Sequence, residues 1–308
     1  MSSAAQQDVP EWGRPAVRLR TAAVCLALTL LVFSQSAGYT ATDTKLDLVV
    51  SPWRFLRRSL TMWDPTGGSG QLGDQAYGYL FPMGPFYLMG HLLALPAWIT
   101  QRGWESAVVV LSFLGVMRLA RLLGVEGFWP RVASGLVYAL APRMLSELGV
   151  ISSELLPMAT LPWMIIPLVS LNRHGRARRS ALRSALAVLL CGGINASATL
   201  AVLVVPALWI FCCLTGSLRR RVACWWLAGV ALASLWWMIP LLILGKYSPP
   251  FLNWIESASA TTSVTSLFTV LRGVDHWQSY LGAGEWPAGW IFASAPAAII
   301  ATTAVSAA

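Results

Sequence analysis

The chain is short of charge. Only 11% of its 308 residues are Asp, Glu, Lys or Arg, where a soluble domain carries about 25%. That deficit excludes an ordinary water-soluble domain. Acids are the scarcer sign, 13 against 22 bases, which leaves a net charge of +9. A basic chain raises the question of nucleic acid. Here, however, the arginines sit in short loops between apolar runs, the pattern of membrane-topology signals. No nucleic-acid partner is expected. Histidine is nearly missing, at three residues, and His91 and His276 read as packing or surface side chains. The five cysteines form no C-x-x-C and no metal-ligand spacing. Cys25, Cys191, Cys212, Cys213 and Cys224 all fall in or beside apolar runs and read as buried free thiols. Internal repeats and low-complexity linkers are missing too.

What is abundant is apolar. The chain is 56% hydrophobic, with a mean hydropathy of +0.61. A spanning helix takes about 20 mostly apolar residues. Candidate spans are 17–33, 104–122, 132–148, 155–171, 181–194, 197–214, 222–244 and 288–308. The run 181–194 is short and pairs with 197–214 as a helical hairpin turning at Gly192-Gly193-Ile194-Asn195. The basic start, with Ser36 and Ala37 after the first run, also fits a signal peptide. The many later runs favour a retained helix. The final stretch, 290–308, is apolar and lacks a polar tail, so the expectation is the N-terminal piece of a longer protein.

Positive charge orients the spans. Besides the N-terminus there are three basic clusters: Arg118/Arg121/Arg131, Arg173/Arg176/Arg178/Arg179/Arg183 and Arg219/Arg220/Arg221. All of them fall on one side only if the run 79–100 does not cross. Its Pro82, Gly84, Pro85 and Pro96 suit a re-entrant or interfacial segment. The opposite face then collects the first loop (34–101), the tip at Ser152-Ser153-Glu154, the turn at Asn195 and a late loop (245–287). Within the first loop, Pro52 to Leu60 places Trp53 and Phe55 beside arginines, as in a helix lying in the headgroup layer. Asn195-Ala196-Ser197 matches a glycosylation acceptor, but that turn lies too close to the membrane for it.

That face holds the chemistry. Asp43 and Asp47 follow the first span, four apart. If the first helix continues past the membrane they share one side of it, with Lys45 turned away. Glu154 stands where a descending helix begins, near its positive end. The late loop carries Lys246, Trp254, Glu256, Arg272, Asp275, His276 and Trp277. Trp254 and Trp277 are candidate sugar platforms. Lys and Arg hold phosphate, and a carboxylate takes a proton from a hydroxyl. Plainer readings stand beside these: a solvated Asp43/Asp47 loop paired with Lys45, an interfacial Lys246 beside Tyr247, and Glu256 as a helix cap.

Three runs carry a resemblance: Thr42-Asp43-Thr44-Lys45-Leu46-Asp47, Phe81-Pro82-Met83-Gly84-Pro85-Phe86 and Gly245-Lys246-Tyr247-Ser248-Pro249-Pro250-Phe251-Leu252. In this order the chain resembles the GT-C superfamily of polyprenyl-phosphate-dependent glycosyltransferases. More narrowly it resembles the very large actinobacterial alpha-(1->3)-arabinofuranosyltransferases. The resemblance implies an all-α polytopic transmembrane bundle with interfacial helices in the first extracytoplasmic loop. It implies transfer of arabinofuranose from decaprenyl-phosphoryl arabinose to cell-wall arabinan on the outer face of the plasma membrane. It also implies an acyl carrier protein at the cytoplasmic Arg-rich loops.

The implied mechanism is an inverting displacement. Asp43 is its base, with Asp47 second. Lys246 and Arg58 neutralise the leaving phosphate. Glu256 orients the acceptor or a divalent cation, and Glu154 is a weaker candidate. Some members of the superfamily bind a metal, but no compact ligand set in this sequence requires one. Two other classes remain. A transporter or lipid flippase predicts ionisable residues near mid-membrane and repeat symmetry. A non-catalytic scaffold predicts that Asp43 can be neutralised with little consequence.

Overall fold

The computed structural model describes residues 15–35, 37–40, 45–64, 70–72, 76–149, 151–171, 177–247 and 267. The chain is helical almost throughout them. In order come α1 (Pro15–Phe33), α2 (Leu46–Val50), α3 (Pro52–Ser59), β1 (Trp63–Asp64), β2 (Gln71–Leu72), a 3₁₀ turn (Ala76–Leu80), α4 (Met83–Leu92) and α5 (Ala97–Leu122). After these follow α6 (Phe128–Ala139), α7 (Pro142–Glu147), a second 3₁₀ turn (Ser152–Glu154), α8 (Leu155–Val169), α9 (Ala177–Leu189), α10 (Ala196–Cys213) and α11 (Gly216–Tyr247). The two strands pair antiparallel, Trp63 with Leu72 and Asp64 with Gln71.

Four helical stretches among the described residues are long and apolar enough to cross a membrane: Pro15–Phe33, Ser152–Val169, Ala196–Cys213 and Gly216–Tyr247. They play two parts. Ser152–Val169 is mostly enclosed by other helices, whereas the other three are largely uncovered. Leu19, Leu26 and Leu30 of α1, Leu200 and Leu208 of α10, and Leu232 and Leu242 of α11 all point outward. Outward leucines along long helices suit hydrocarbon, not water.

Lipid supplies no hydrophobic drive between helices, so close packing has to hold the bundle together. At its centre α5 and α8 run side by side in the same direction. Trp104 Nε1 donates to Ser152 Oγ at 3.0 Å, and Trp163 Nε1 donates to the Leu111 carbonyl at 3.0 Å. Gly115 permits this approach: a Cβ there would run into Pro162 and Trp163. The main core gathers around α5, with Val108, Val109, Phe113 and Met117 packed against Leu28, Val32, Val132, Ala139 and Leu155. A second cluster joins α8 to α9, α10 and α11 through Leu168, Ala181, Ile210 and Trp226.

Several expectations from sequence are met and others are corrected. The amphipathic helix forms as α3, burying Pro52, Phe55 and Ser59 and exposing Trp53, Arg54 and Arg57. The hairpin turn forms between α9 and α10. Gly192 takes φ 75°, and Asn195 caps α10 by accepting from the Ala198 N–H at 2.9 Å. The run 132–148 is not one span. It breaks after Ala139 because Pro142 lacks an N–H and pushes Ala141 to an extended conformation, φ −58° and ψ 148°. The run 181–194 is shifted: α9 starts earlier, at Ala177, and ends at Leu189 before the glycines. The run 288–308 lies outside the described residues.

The run 79–100 is divided among the 3₁₀ turn, α4 and the start of α5. Ten residues of α4 rise only about 15 Å, half the hydrocarbon thickness. The chain before and after this run meets at one place, since Arg102 Nε donates to the Gln35 carbonyl at 3.3 Å. The whole segment therefore leaves and returns at the same end of the bundle.

Candidate functional site

Helix direction sorts the polar residues into two ends. α1 ends, and α5 and α8 begin, at one end, fixed by the Gln35–Arg102 and Trp104–Ser152 contacts. The α9–α10 turn joins them there, because the Gly193 N–H donates to the Gly78 carbonyl at 3.3 Å. Trp237 of α11 packs against that turn, where a Cβ on Gly193 would strike it. Lys246 lies nine positions further along α11, roughly 13 Å by helical rise. It stands beyond the turn, exposed, with its ammonium 5.4 Å from the centre of the Tyr247 ring. The far end collects Arg18, Arg118, Arg121, Arg131, Arg178, Arg179, Arg183 and Arg219 to Arg221, with Glu126 among them.

At the first of these ends the first loop builds a held cation. Arg58 closes α3, where Phe55 and Ser59 anchor the helix below. Its guanidinium donates to Asp47 Oδ2 at 2.8 Å, and Asp64 lies 3.9 Å away. Asp64 reaches it from β1, past the turn that closes α3, where the Thr61 N–H donates to the Arg58 carbonyl at 3.2 Å. The hydrogen bond from Arg58 is the main reason the Asp47 carboxyl lies below its ordinary range, with charge from Arg58 and Lys45 adding to it and burial opposing it. Asp47 sits in α2 and not on a continuation of α1, which stops at Phe33. The α1-extension expectation therefore fails: Gly38, at φ 88°, turns the chain between the two helices.

The depressed carboxyl makes a pH prediction. A group with a lowered folded pKa contributes stability that is fully present above the unfolded value, about 3.9 for Asp, and that is lost as pH falls towards and through the lowered one. The thermal-stability difference between wild type and Asp47→Asn should stay flat from pH 7 to about 4 and shrink only below. A difference that widens on acidification would refute the clamp. The effect should be modest, since both side chains are substantially exposed.

Deeper in the same end lies a second polar group. Arg102 Nη1 donates to both Glu105 oxygens, at 2.9 and 2.8 Å, and the two side chains are 3% and 0% exposed. Arg143 of α7 bridges Glu147 at 3.4 Å and Glu154 at 3.3 Å. Glu154 immediately precedes α8 as expected, yet its side chain turns to Arg143 and makes no cap. Ser152 and Ser153 are buried between these layers. Arg102, Glu105, Arg143 and Glu147 are not among the residues expected from sequence. The available signal was Arg102 and Glu105 three apart at the start of a long apolar helix, where a charge is costly unless paired.

The structure thus brings Asp47 together with Arg58, and Glu154 with Arg143 and Glu147, and it places Lys246 at the same end. Asp43, Trp254, Glu256 and Trp277 lie outside the described residues, as does the late loop beyond Tyr247 apart from Leu267. Among the described residues no three His, Cys, Asp or Glu side chains group as metal ligands.

Comparison with known proteins fixes the family. The family model described as "Alpha-(1->3)-arabinofuranosyltransferase, N-terminal GT-C domain" matches residues 27–308. The chain is 45% identical over 289 residues to an alpha-(1->3)-arabinofuranosyltransferase of Mycobacterium tuberculosis, covering 93% of this chain and 20% of the relative. It is 43% identical over 286 residues to one of Mycolicibacterium smegmatis, covering 92% and 20%. A cryo-EM structure of the arabinofuranosyltransferase AftD from Mycobacteria superposes with a TM-score of 0.75 at 43% identity, over 86% of this chain and 20% of that one. A mutant of that protein gives 0.74 at 42% identity, over 87% and 20%. The chain spans about one fifth of the length of these relatives. By the family match over nearly its whole length, it belongs to the family of the N-terminal GT-C domain of alpha-(1->3)-arabinofuranosyltransferases.

Proposed function

We propose that the chain is the donor-binding and catalytic portion of a membrane glycosyltransferase. It moves arabinofuranose from decaprenyl-phosphoryl arabinose to the arabinan of arabinogalactan and lipoarabinomannan, on the outer face of the plasma membrane. The observation that carries this reading is the family match over residues 27–308, beside which the structure offers Arg58. It is a cation held by Asp47 and Asp64 on an amphipathic helix, at the end of the bundle away from the Arg-rich loops. A lipid-linked phosphate at the membrane surface needs such a fixed cation.

The reaction is a single displacement. An acceptor hydroxyl oxygen attacks the anomeric carbon and Asp43 takes the hydroxyl proton. The bond from that carbon to the phosphate oxygen breaks, and the lipid phosphate leaves with the electron pair. Configuration at the anomeric carbon inverts. Arg58 and Lys246 stabilise the charge growing on the phosphate. Asp47, already engaged by Arg58, keeps that cation in place and is the second choice of base. Glu256 orients the acceptor or a divalent cation, Trp254 and Trp277 stack on sugar, and Glu154 supports the floor through Arg143. The Arg-rich loops stand at the opposite end, where an acyl carrier protein would be received.

The test uses membranes carrying the full-length protein, radiolabelled decaprenyl-phosphoryl arabinose and an arabinan acceptor. Label is expected in the acceptor. No transfer by wild type favours the transporter or scaffold instead. A cysteine placed at position 43 should react with an impermeant reagent added outside the cell. Protection there, with labelling after lysis, would reverse the assigned orientation.

A further inference from the structure

The end opposite the candidate site holds a crevice that glycosyl transfer does not use. It measures about 780 Å³ and lies between α5, α8 and α9. Arg118 of α5 and Arg179 and Arg183 of α9 form its rim, while Leu111, Trp163 and Leu190 line its depth. Helical rise gives the scale: Leu111 is seven residues from Arg118, and Leu190 seven from Arg183, roughly 10 Å each. The crevice therefore runs from a cationic mouth down to the level of the apolar helix faces.

Among the described residues the rim charges are left uncompensated. Among the described residues, Arg118, Arg179 and Arg183 join no ion pair. Arg179 and Arg183 are four apart on one helix, a spacing at which like charges repel. Arg221 adds a further cation across the adjoining groove of α9. By contrast, Arg178 has an internal partner, the Trp225 ring, at 4.6 Å. Three unneutralised guanidinium groups around a mouth select an anion, and their planar forks suit phosphate oxygens. A soluble phosphate compound would leave the apolar depth unfilled. An acidic protein surface is too broad to enter it.

We propose that this crevice is a binding site for an anionic membrane phospholipid. Its phosphate sits on Arg118, Arg179 and Arg183, and one acyl chain runs along Leu111, Trp163 and Leu190. Basic pockets between membrane helices hold anionic head groups on these same terms. The site does not depend on the transferase reading, only on the bundle sitting in a membrane.

Native mass spectrometry of the purified full-length protein tests it, with phosphatidylglycerol and phosphatidylcholine of identical chains supplied in the detergent. Wild type should retain phosphatidylglycerol about tenfold over phosphatidylcholine. Joint Arg118→Gln, Arg179→Gln and Arg183→Gln substitution should abolish that preference, while Lys at the same three positions should keep it. Leu190→Trp, which fills the depth and spares the charges, should also lower retention. Arg220→Gln, outside the crevice, should leave it unchanged. Equal retention of the two lipids overturns the proposal. So does retention insensitive to Leu190→Trp, or displacement by glycerol phosphate at equal concentration, which would mark a site for soluble phosphate. Capture of an acidic protein that needs the three arginines, with phosphatidylglycerol unaffected by them, overturns it as well. If the Gln variant does not fold, the Lys variant and Leu190→Trp decide the matter.

Discussion

Asp43→Asn should cut arabinosyl transfer by roughly 10²–10⁴-fold, the usual worth of a general base, with donor binding nearly unchanged. Asp43 is proposed as base because the family resemblance puts an acid at the start of this loop, and its neighbour Asp47 is otherwise engaged. Asp43 precedes Asp47 by four residues, and Asp47 is committed to Arg58 at 2.8 Å. A carboxylate held below its ordinary range by a guanidinium is a weak proton acceptor, which leaves Asp43, the acid that the family resemblance puts forward, as the proposed base. The discriminating readout separates kcat from KM. Loss of a base lowers kcat, whereas loss of Arg58 should raise KM for the charged donor as well. An Asp43→Asn enzyme with wild-type kcat would sink the assignment, and an equal loss from Asp47→Asn alone would move the base to Asp47.

The second large effect is structural. Removing either partner of the Arg102–Glu105 pair, as in Glu105→Ala, should cost about 3–5 kcal/mol of unfolding free energy. It leaves a charge buried without its counter-ion. Arg102→Met and Glu105→Leu made together should cost less than either single change, since no stranded charge remains. Chemical denaturation in a mild detergent would read all three. A double variant as unstable as the sum of the singles would show that the two side chains act independently. Because Arg102 also donates to the Gln35 carbonyl, the double variant should still lose something. That residue measures the tie between α1 and α5.

Sequence reveals some of this and hides the rest for physical reasons. α3 was readable because Trp, Phe and Arg alternate with helical spacing in a short stretch. The α9–α10 turn was readable because two glycines and an asparagine interrupt an apolar run. The break before Pro142 was hidden by hydropathy, which does not fall at Ala141. Averaged apolarity cannot register one missing N–H. The Arg102–Glu105 pair was hidden because two opposite charges at a span's edge look like the start of a loop. Only the fold shows them enclosed. The partnership of Arg58 with Asp47 and Asp64 was hidden for another reason. It needs a turn after α1 and another after α3, neither of which leaves a strong periodic mark.

The Gly78–Gly193 hydrogen bond has a consequence in time. Gly78 belongs to the first loop and Gly193 to a turn made much later in the chain. A protein synthesised from its N-terminus cannot close that bond until the α9–α10 hairpin has emerged and inserted. Until then the 3₁₀ turn at Ala76–Leu80, against which α3 packs, lacks this partner, and the end that holds Arg58 stays unfinished. The site is therefore among the last parts of this bundle to mature, after the central helices α5 and α8 are already side by side.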